Sequence, residues 1–221
     1  MVIGDCRVYE LRQYTLHPGT RAAFTSLFET HLVESQEATG MHVLGQFRDE
    51  DRPDAFVWMR AFTDMEQRRE SLTAFYTGPV WRAHAAEANA MMIDSDDVHL
   101  LEPADAEHAL AEHVGPRPPL GSTSYGTAEF EVVICPLHPE DTSKYFDRHR
   151  QSSGLLLPPL QTLHAANTFP GLPVHEDSHV AVTVTRYDHP ATAVAVNEFD
   201  TLATGPVQRL RLTPTPRSAL R

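Results

Sequence analysis

The chain has 221 residues, enough for one large domain or for two small ones of about 100 residues each. Hydrophobic residues make up 41% and charged residues 22% of it, which excludes a disordered or collagen-like chain. With 18 Lys and Arg against 30 Asp and Glu the net charge is −12, and a surface of that sign repels phosphate backbones and anionic lipid, so neither nucleic acid nor a membrane is an expected partner.

The opening segment MVIGDCRVYELRQY has neither the basic start nor the apolar stretch of a secretory leader. Cys6 and Cys135 have no CxxC spacing, so a reduced, cytoplasmic protein is expected. Alternation in CRVYELRQYTL predicts a first strand. Pro18 and Gly19 then open a helix whose apolar residues Ala23, Phe24, Leu27, Phe28 and Leu32 recur at helical spacing, and Gly40 closes it. MHVLGQFRD and DAFVWMRAF read as strands around the polar turn EDRP. DMEQRRESLTAFY is a second helix with Asp64 near its start, GPVWRAHAAEANAMM a third with Gly78 as cap and Pro79 in the first turn, and DVHLLEP a closing strand.

A linker rich in Pro, Ala and polar residues follows, PADAEHALAEHVGPRPPLGSTS. Beyond it the plan repeats: a strand over 126–136, a helix over 139–152, strands over 160–169 and 178–187, a helix over 190–203, and QRLRLTP as closing strand. The division is thus residues 1–102 as first repeat, 103–124 as linker, 125–213 as diverged second repeat and 214–221 as tail.

Local echoes support the duplication. Tyr9–Gly19 lies over Phe130–Glu140, pairing Glu10 with Glu131; Met41–Phe47 lies over Leu163–Phe169, pairing His42 with His164; and VWMRAFTD from Val57 lies over VTVTRYDH from Val182. FYTGPVWR and LATGPVQR end the series, so their Thr-Gly-Pro-Val stretches are expected to be corresponding helix-start turns, with Trp81 in one and Gln208 in the other. Echoes in conserved order point to duplication. The order βαββα(α)β in each half implies a four-stranded antiparallel sheet with helices on one face. The bare faces would form larger apolar patches than a soluble monomer tolerates, so the halves should pack sheet against sheet.

The segments YELRQYTLHPG, GMHVLGQF, FVWMRAF and FYTGPVWR, in that order, resemble the NIPSNAP family of the dimeric α/β barrel superfamily, over about residues 6–102, with the second half as a diverged copy. The resemblance implies an α+β fold: two ferredoxin-like βαββαβ repeats, their antiparallel sheets face to face as a fused barrel. Its members mostly lack an assigned reaction; the wider superfamily includes cofactor-free monooxygenases, polyketide cyclases, muconolactone isomerases and haem enzymes. Two departures are FYTGP where an acidic residue would precede Pro-x-Trp, and Gln208 in place of Trp81.

Strand alternation divides the residues into two faces. The uniformly apolar one, with Leu11, Val57, Met59, Val132, Val182 and Val184, is expected to meet the helices. The other carries Glu10, Arg12, Tyr14, Phe56, Trp58 and Arg60 in the first copy, but Glu131, Val133, Cys135, Ala181, Thr183 and Thr185 in the second. A ligand pocket is expected in the first half, since pockets join apolar walls to a few convergent polar groups. Arg12 and Arg60 would clamp an anion or enolate, Tyr14 donate a proton, His42 act as general base, and Glu10, His31, Gln46, Trp58 and Trp81 contact substrate. The bland alternative makes Glu10 a buried ion-pair partner and the aromatics core filling.

HEDSH, at His175–His179, could hold a metal in a loop but reads first as a solvated hairpin turn, and no metal site is expected. The single lysine, Lys144, is the sole internal candidate for Schiff-base chemistry, but DTSKYFDRH around it reads as an exposed helix face, where a lysine is normally solvated. Neither GxGxxG, GxxxxGK nor GxSxG occurs. The expected protein is a cofactor-free enzyme for a hydrophobic carbonyl- or phenol-bearing metabolite, acting by cyclisation, isomerisation or oxygenation, either monomeric with an internal pseudo-dimer or a homodimer. A non-catalytic binding or scaffold protein, with no cavity of about 300 Å³ in its barrel, is the alternative; a haem protein is the second.

Overall fold

The computed structural model describes residues 5–105, 110–149, 155–188 and 201–221. The first half runs β1 (Val8–Leu16), α1 (Arg21–Leu27), a π-helical turn (Phe28–Leu32), α2 (Val33–Glu37), β2 (His42–Asp49), β3 (Ala55–Phe62), α3 (Met65–Tyr76), α4 (Pro79–Met91) and β4 (Met92–Pro103). The second runs β5 (Glu129–Pro136), a 3-10 turn (Pro139–Asp141), α5 (Thr142–His149), β6 (Leu155–Leu156), β7 (Leu160–Thr162), β8 (Val180–Tyr187) and β9 (Gln208–Pro214). Most of the helix expected over 190–203 lies outside the described residues. Asp64 caps α3 by accepting from the Gln67 backbone N–H, and Pro79 occupies the first turn of α4 behind Gly78.

The strands form one sheet in the order β5-β9-β2-β3-β1-β4-β7-β8, closed on itself by β5–β8 pairing, with the short β6 attached to β8. Within each half the order is the same: β2-β3-β1-β4 in the first and β7-β8-β5-β9 in the second. The fourth strand of each half pairs with the second strand of the other, β4 with β7 and β9 with β2. This is the fused two-repeat α/β barrel that the resemblance implied, with the sheet-against-sheet packing that the strand order implied.

Equivalent pairs preserve the register. Glu10 faces Arg60 and Leu11 faces Met59 across β1 and β3, as Glu131 faces Thr185 and Val132 faces Val184 across β5 and β8. The second strand does not follow the sequence echo. Leu160 pairs with Val182, which makes it the counterpart of Phe47, paired with Val57. His164 therefore lies past the strand and is not the structural counterpart of His42. The Thr-Gly-Pro-Val turns also diverge: the first starts α4, whereas the second runs directly into β9.

The two sheet faces are the reverse of the expected assignment. Leu11, Phe47, Val57, Val132, Val182 and Leu212 form one buried cluster, the barrel interior. Tyr14, Phe56 and Trp58 cluster instead with Phe24, Phe28, Leu72 and Phe75 from the helices. Uniform apolarity marks the interior because two sheets interdigitate there with no backbone end or solvent to satisfy a polar group. The helix layer tolerates polar side chains because helices bring partners to them.

The linker and tail belong to the same body. Leu110 is fully buried in the barrel core, and Arg117 bonds to Glu37 and to the Val43 and Arg217 carbonyls. The tail lies along β2: the Thr215 N–H donates to the Gln46 carbonyl and the Leu220 N–H to that of Leu44. Gly45 permits this, since a Cβ there would stand 3.2 Å from that of Leu220 and 2.7 Å from the Phe47 ring. Glu29, in the π-helical turn, accepts from the Thr215 hydroxyl at 2.6 Å and the Arg217 N–H at 2.7 Å. Leu220→Ala should accordingly cost about 2–4 kcal/mol, read from the urea midpoint; a loss near zero would show that the tail is not part of the core.

Candidate functional site

Glu10 stands on the helix face of β1, with no solvent exposure. Its Oε2 accepts from Arg12 Nη1 at 2.7 Å and from Arg60 Nε at 2.8 Å, and its Oε1 accepts from Arg68 Nε at 2.6 Å. The three arginines, from β1, β3 and α3, are buried as completely as the glutamate. One carboxylate thus faces three guanidiniums, which cannot shed their charge. Burial alone would raise the Glu10 pKa, but Arg60, Arg12 and Arg68 together outweigh it and hold the carboxyl far below its usual range. Arg68 is the least compensated: burial pulls its pKa down despite Glu10, and its Nη2 has no hydrogen-bond partner.

The remaining guanidinium donors reach outward. Arg12 Nε donates to the Tyr14 hydroxyl at 3.1 Å, Arg60 Nη1 to Gln36 Oε1 at 3.0 Å, and Arg68 Nη1 to Asn167 Oδ1 at 3.1 Å. Tyr14, Gln36 and Trp58 are at the same time walls of an aromatic pocket between sheet and helices, completed by Phe28, Tyr76 and Trp81 among others. Its volume is about 30 Å³. The Arg12 and Arg60 guanidiniums stand 5.7 and 5.0 Å from the Trp58 ring centroid, within cation–π range. Burial raises the Tyr76 pKa although Arg60 and Arg12 oppose it, so that hydroxyl is a proton-bearing donor at neutral pH.

Arg12, Tyr14, Arg60, Glu10, Trp58 and Trp81 are therefore brought together, although on the helix face. The arginines stand behind the pocket wall and act on it through Tyr14 and Gln36, so they do not form a direct clamp. Three other expected residues lie elsewhere. His42 pairs with Ala61, a barrel-interior position, and so faces away from Arg60. His31 is on the outer surface, its ring stacked 3.9 Å from that of His84 on α4. Gln46 pairs with Trp58 and is fully buried, yet it is not among the pocket-lining residues.

Gln36, Arg68 and Tyr76 are residues that the sequence reading missed. The buried positions of α3 are Arg68, Ser71, Leu72 and Phe75, and that spacing alone places an arginine on the apolar stripe of a helix. The equivalent of Glu10 in the second half, Glu131, has lost this setting. It is partly exposed, with Arg209 at 3.9 Å and the Tyr187 hydroxyl at 3.5 Å.

Residues 9–106 match the NIPSNAP family model. Over those residues the chain is similar to NIPSNAP domains. Beyond that match the likeness is one of fold and spans the whole chain. An anthrone oxidase-like protein of known structure has a TM-score of 0.60 at 13% identity, over 100% of this chain and 97% of that one. A "putative monooxygenase" from Lactobacillus acidophilus NCFM has a TM-score of 0.57 at 9% identity, over 97% of both chains. Another, from Fusobacterium nucleatum, has a TM-score of 0.58 at 8% identity, over 97% of this chain and 94% of that one. No curated protein matches the chain. Among the described residues no helix is long and apolar enough to cross a membrane.

Removing the one carboxylate in the arginine cluster has a definite expected cost. Glu10→Gln keeps the volume but leaves three buried cations unneutralised, and should destabilise the fold by about 3–5 kcal/mol. Because the folded-state pKa of Glu10 is depressed, its contribution is complete above the unfolded value of about 4.3 and is lost as pH falls below it. Wild-type stability should thus decline more steeply than that of Glu10→Gln between about pH 5 and 2; parallel curves in pH-dependent urea unfolding would contradict the cluster.

Proposed function

We propose that the first half is a small-molecule enzyme for a flat, hydrophobic substrate bearing a carbonyl-activated C–H or a phenolic O–H, which reacts through its anion. The observation that carries this reading is the Arg12–Tyr14 hydrogen bond at the wall of the aromatic pocket. The Tyr14 oxygen accepts from a buried cation, so its own proton is free to be donated and is polarised by that cation. Tyr14 and Tyr76 can then both donate to an anionic oxygen, with the excess positive charge of Arg12, Arg60 and Arg68 behind them.

The residues lining the pocket include neither a histidine nor a carboxylate. The substrate proton therefore leaves to water, and the class is restricted to molecules acidified by conjugation. Once formed, the anion has three routes: reprotonation at another carbon, attack on a second carbonyl of the same molecule, or electron donation to dissolved oxygen. The shared fold of an anthrone oxidase-like protein makes anthrone a rational probe for the last.

A cavity of about 30 Å³ is far smaller than the roughly 300–1,000 Å³ of typical ligand sites. Substrate entry then requires α4 to move, and Ala88 is that helix's only fully buried residue. The same tight closure favours the second reading, a binding or scaffold protein whose pocket stays plugged. For a haem, the pocket walls offer no axial histidine.

The test combines quenching of Trp58 and Trp81 fluorescence by anthrone with oxygen uptake and product formation. Tyr14→Phe should bind the probe with similar affinity and turn over about 100-fold more slowly. Equal turnover in both proteins overturns the assigned role of Tyr14, and the absence of saturable quenching favours the scaffold reading.

A further inference from the structure

At the seam where β4 meets the second half, three side chains converge that play no part in the aromatic pocket. Asp97 and His99 are two residues apart on β4, so they share one face of the strand. Both pair with barrel-facing positions of β1, Gln13 and Leu11. The segment after β7 passes along the free edge of β4, where the His175 N–H donates to the Val98 carbonyl at 2.8 Å. That bond sets the His175 ring beside them, with Nε2 at 3.0 Å from Asp97 Oδ1 and its centroid 4.7 Å from that of His99.

We propose that Asp97, His99 and His175 bind a first-row divalent cation such as Zn²⁺, joining the two halves of the barrel at this seam. The ligand atoms of the three groups lie within 4.8 Å of one another. A tetrahedral zinc with bonds of about 2.0–2.1 Å sets its ligands about 3.4 Å apart. Small rotamer changes close the difference. Two imidazoles and one carboxylate are a ligand set that zinc accepts, with the fourth position left to water.

A second observation points the same way. His99 is 9% exposed, and no described residue hydrogen-bonds to its ring. A largely buried imidazole whose nitrogens are not taken up by other protein groups is available to a cation shared with His175 and Asp97, and the partial exposure of those two side chains, 45% and 36%, provides the entry path. The motif escapes a sequence scan because D-x-H is only a pair, and its third member lies 76 residues further on, in the other repeat.

Two other histidine pairs are competing sites, His31 with His84 and His164 with His179. Titration of the full chain with Zn²⁺, followed by calorimetry and thermal unfolding, should give one strong site and a rise in Tm. Co²⁺ should give the visible d–d bands of a low-symmetry N,O site. Loss of a direct ligand should exceed the 10–100-fold typical of second-shell changes. His175→Ala and Asp97→Asn, both at partly exposed positions, should therefore each weaken binding by about 100-fold or more, while His31→Ala and His164→Ala leave it unchanged. The absence of a stoichiometric site, unchanged affinity in His175→Ala, or loss confined to His31→Ala or His164→Ala overturns the assignment.

Discussion

One buried carboxylate holding three buried guanidiniums organises the first half of this protein. Glu10 ties β1 to β3 through Arg60 and to α3 through Arg68, so sheet and helix are joined by charge as well as by apolar packing. Such a cluster is a costly way to build a core, since desolvation offsets much of the Coulombic gain and an apolar replacement is often no less stable. Its distinguishing product is a water-poor layer of excess positive charge. That field reaches the aromatic pocket through the Tyr14 hydroxyl and the Gln36 amide, which is where it can act on a bound anion.

The barrel makes this arrangement possible. Because β4 pairs with β7 and β9 with β2, each sheet covers the bare face of the other. The interior carries stability in both halves, which releases the helix layers to differ. In the first half that layer keeps its glutamate, arginines and aromatics. In the second, Val133 and Thr185 replace Arg12 and Arg60, and Glu131 has moved toward solvent. A duplicated fold with one retained polar site is what relaxed constraint on one copy would leave.

Much of the fold was legible because it rests on local patterns. Two-residue alternation marked β1, β3, β5 and β8, and the paired echoes Glu10 with Glu131 and Met59 with Val184 anticipated the register. The echo of MHVLGQF in LHAANTF misled, since two shared letters do not specify which residues reach the sheet; the strand register placed Leu160 there instead. The site was legible by residue type: Glu10, Arg12, Tyr14, Trp58 and Arg60 were identified from one strand face each, and Trp81 from the echo at the start of α4. The direction of that face was not, because a sheet buried on both sides has no polar side to signal which way it points. His42 was grouped with the site because it recurs opposite His164 in the echo, and His31 because it lies beside the apolar stripe of the first helix; the fold sends both elsewhere.

The sequence by itself determined the strand and helix order, the duplication, the closed two-sheet barrel and the concentration of polar and aromatic residues in the first copy. The element order follows from periodicity, the duplication from echoes kept in order, the sheet-to-sheet packing from the need to cover apolar faces, and the closed barrel from the family resemblance. Only the tertiary structure decided that the arginines back the pocket wall without entering it, that Arg68 and Tyr76 join them, and that Asp97 and His99 meet a histidine from the other repeat. Those facts depend on which residues lie opposite one another across closed strands and packed helices. Contacts between segments distant in sequence leave no period in the chain from which they could be read.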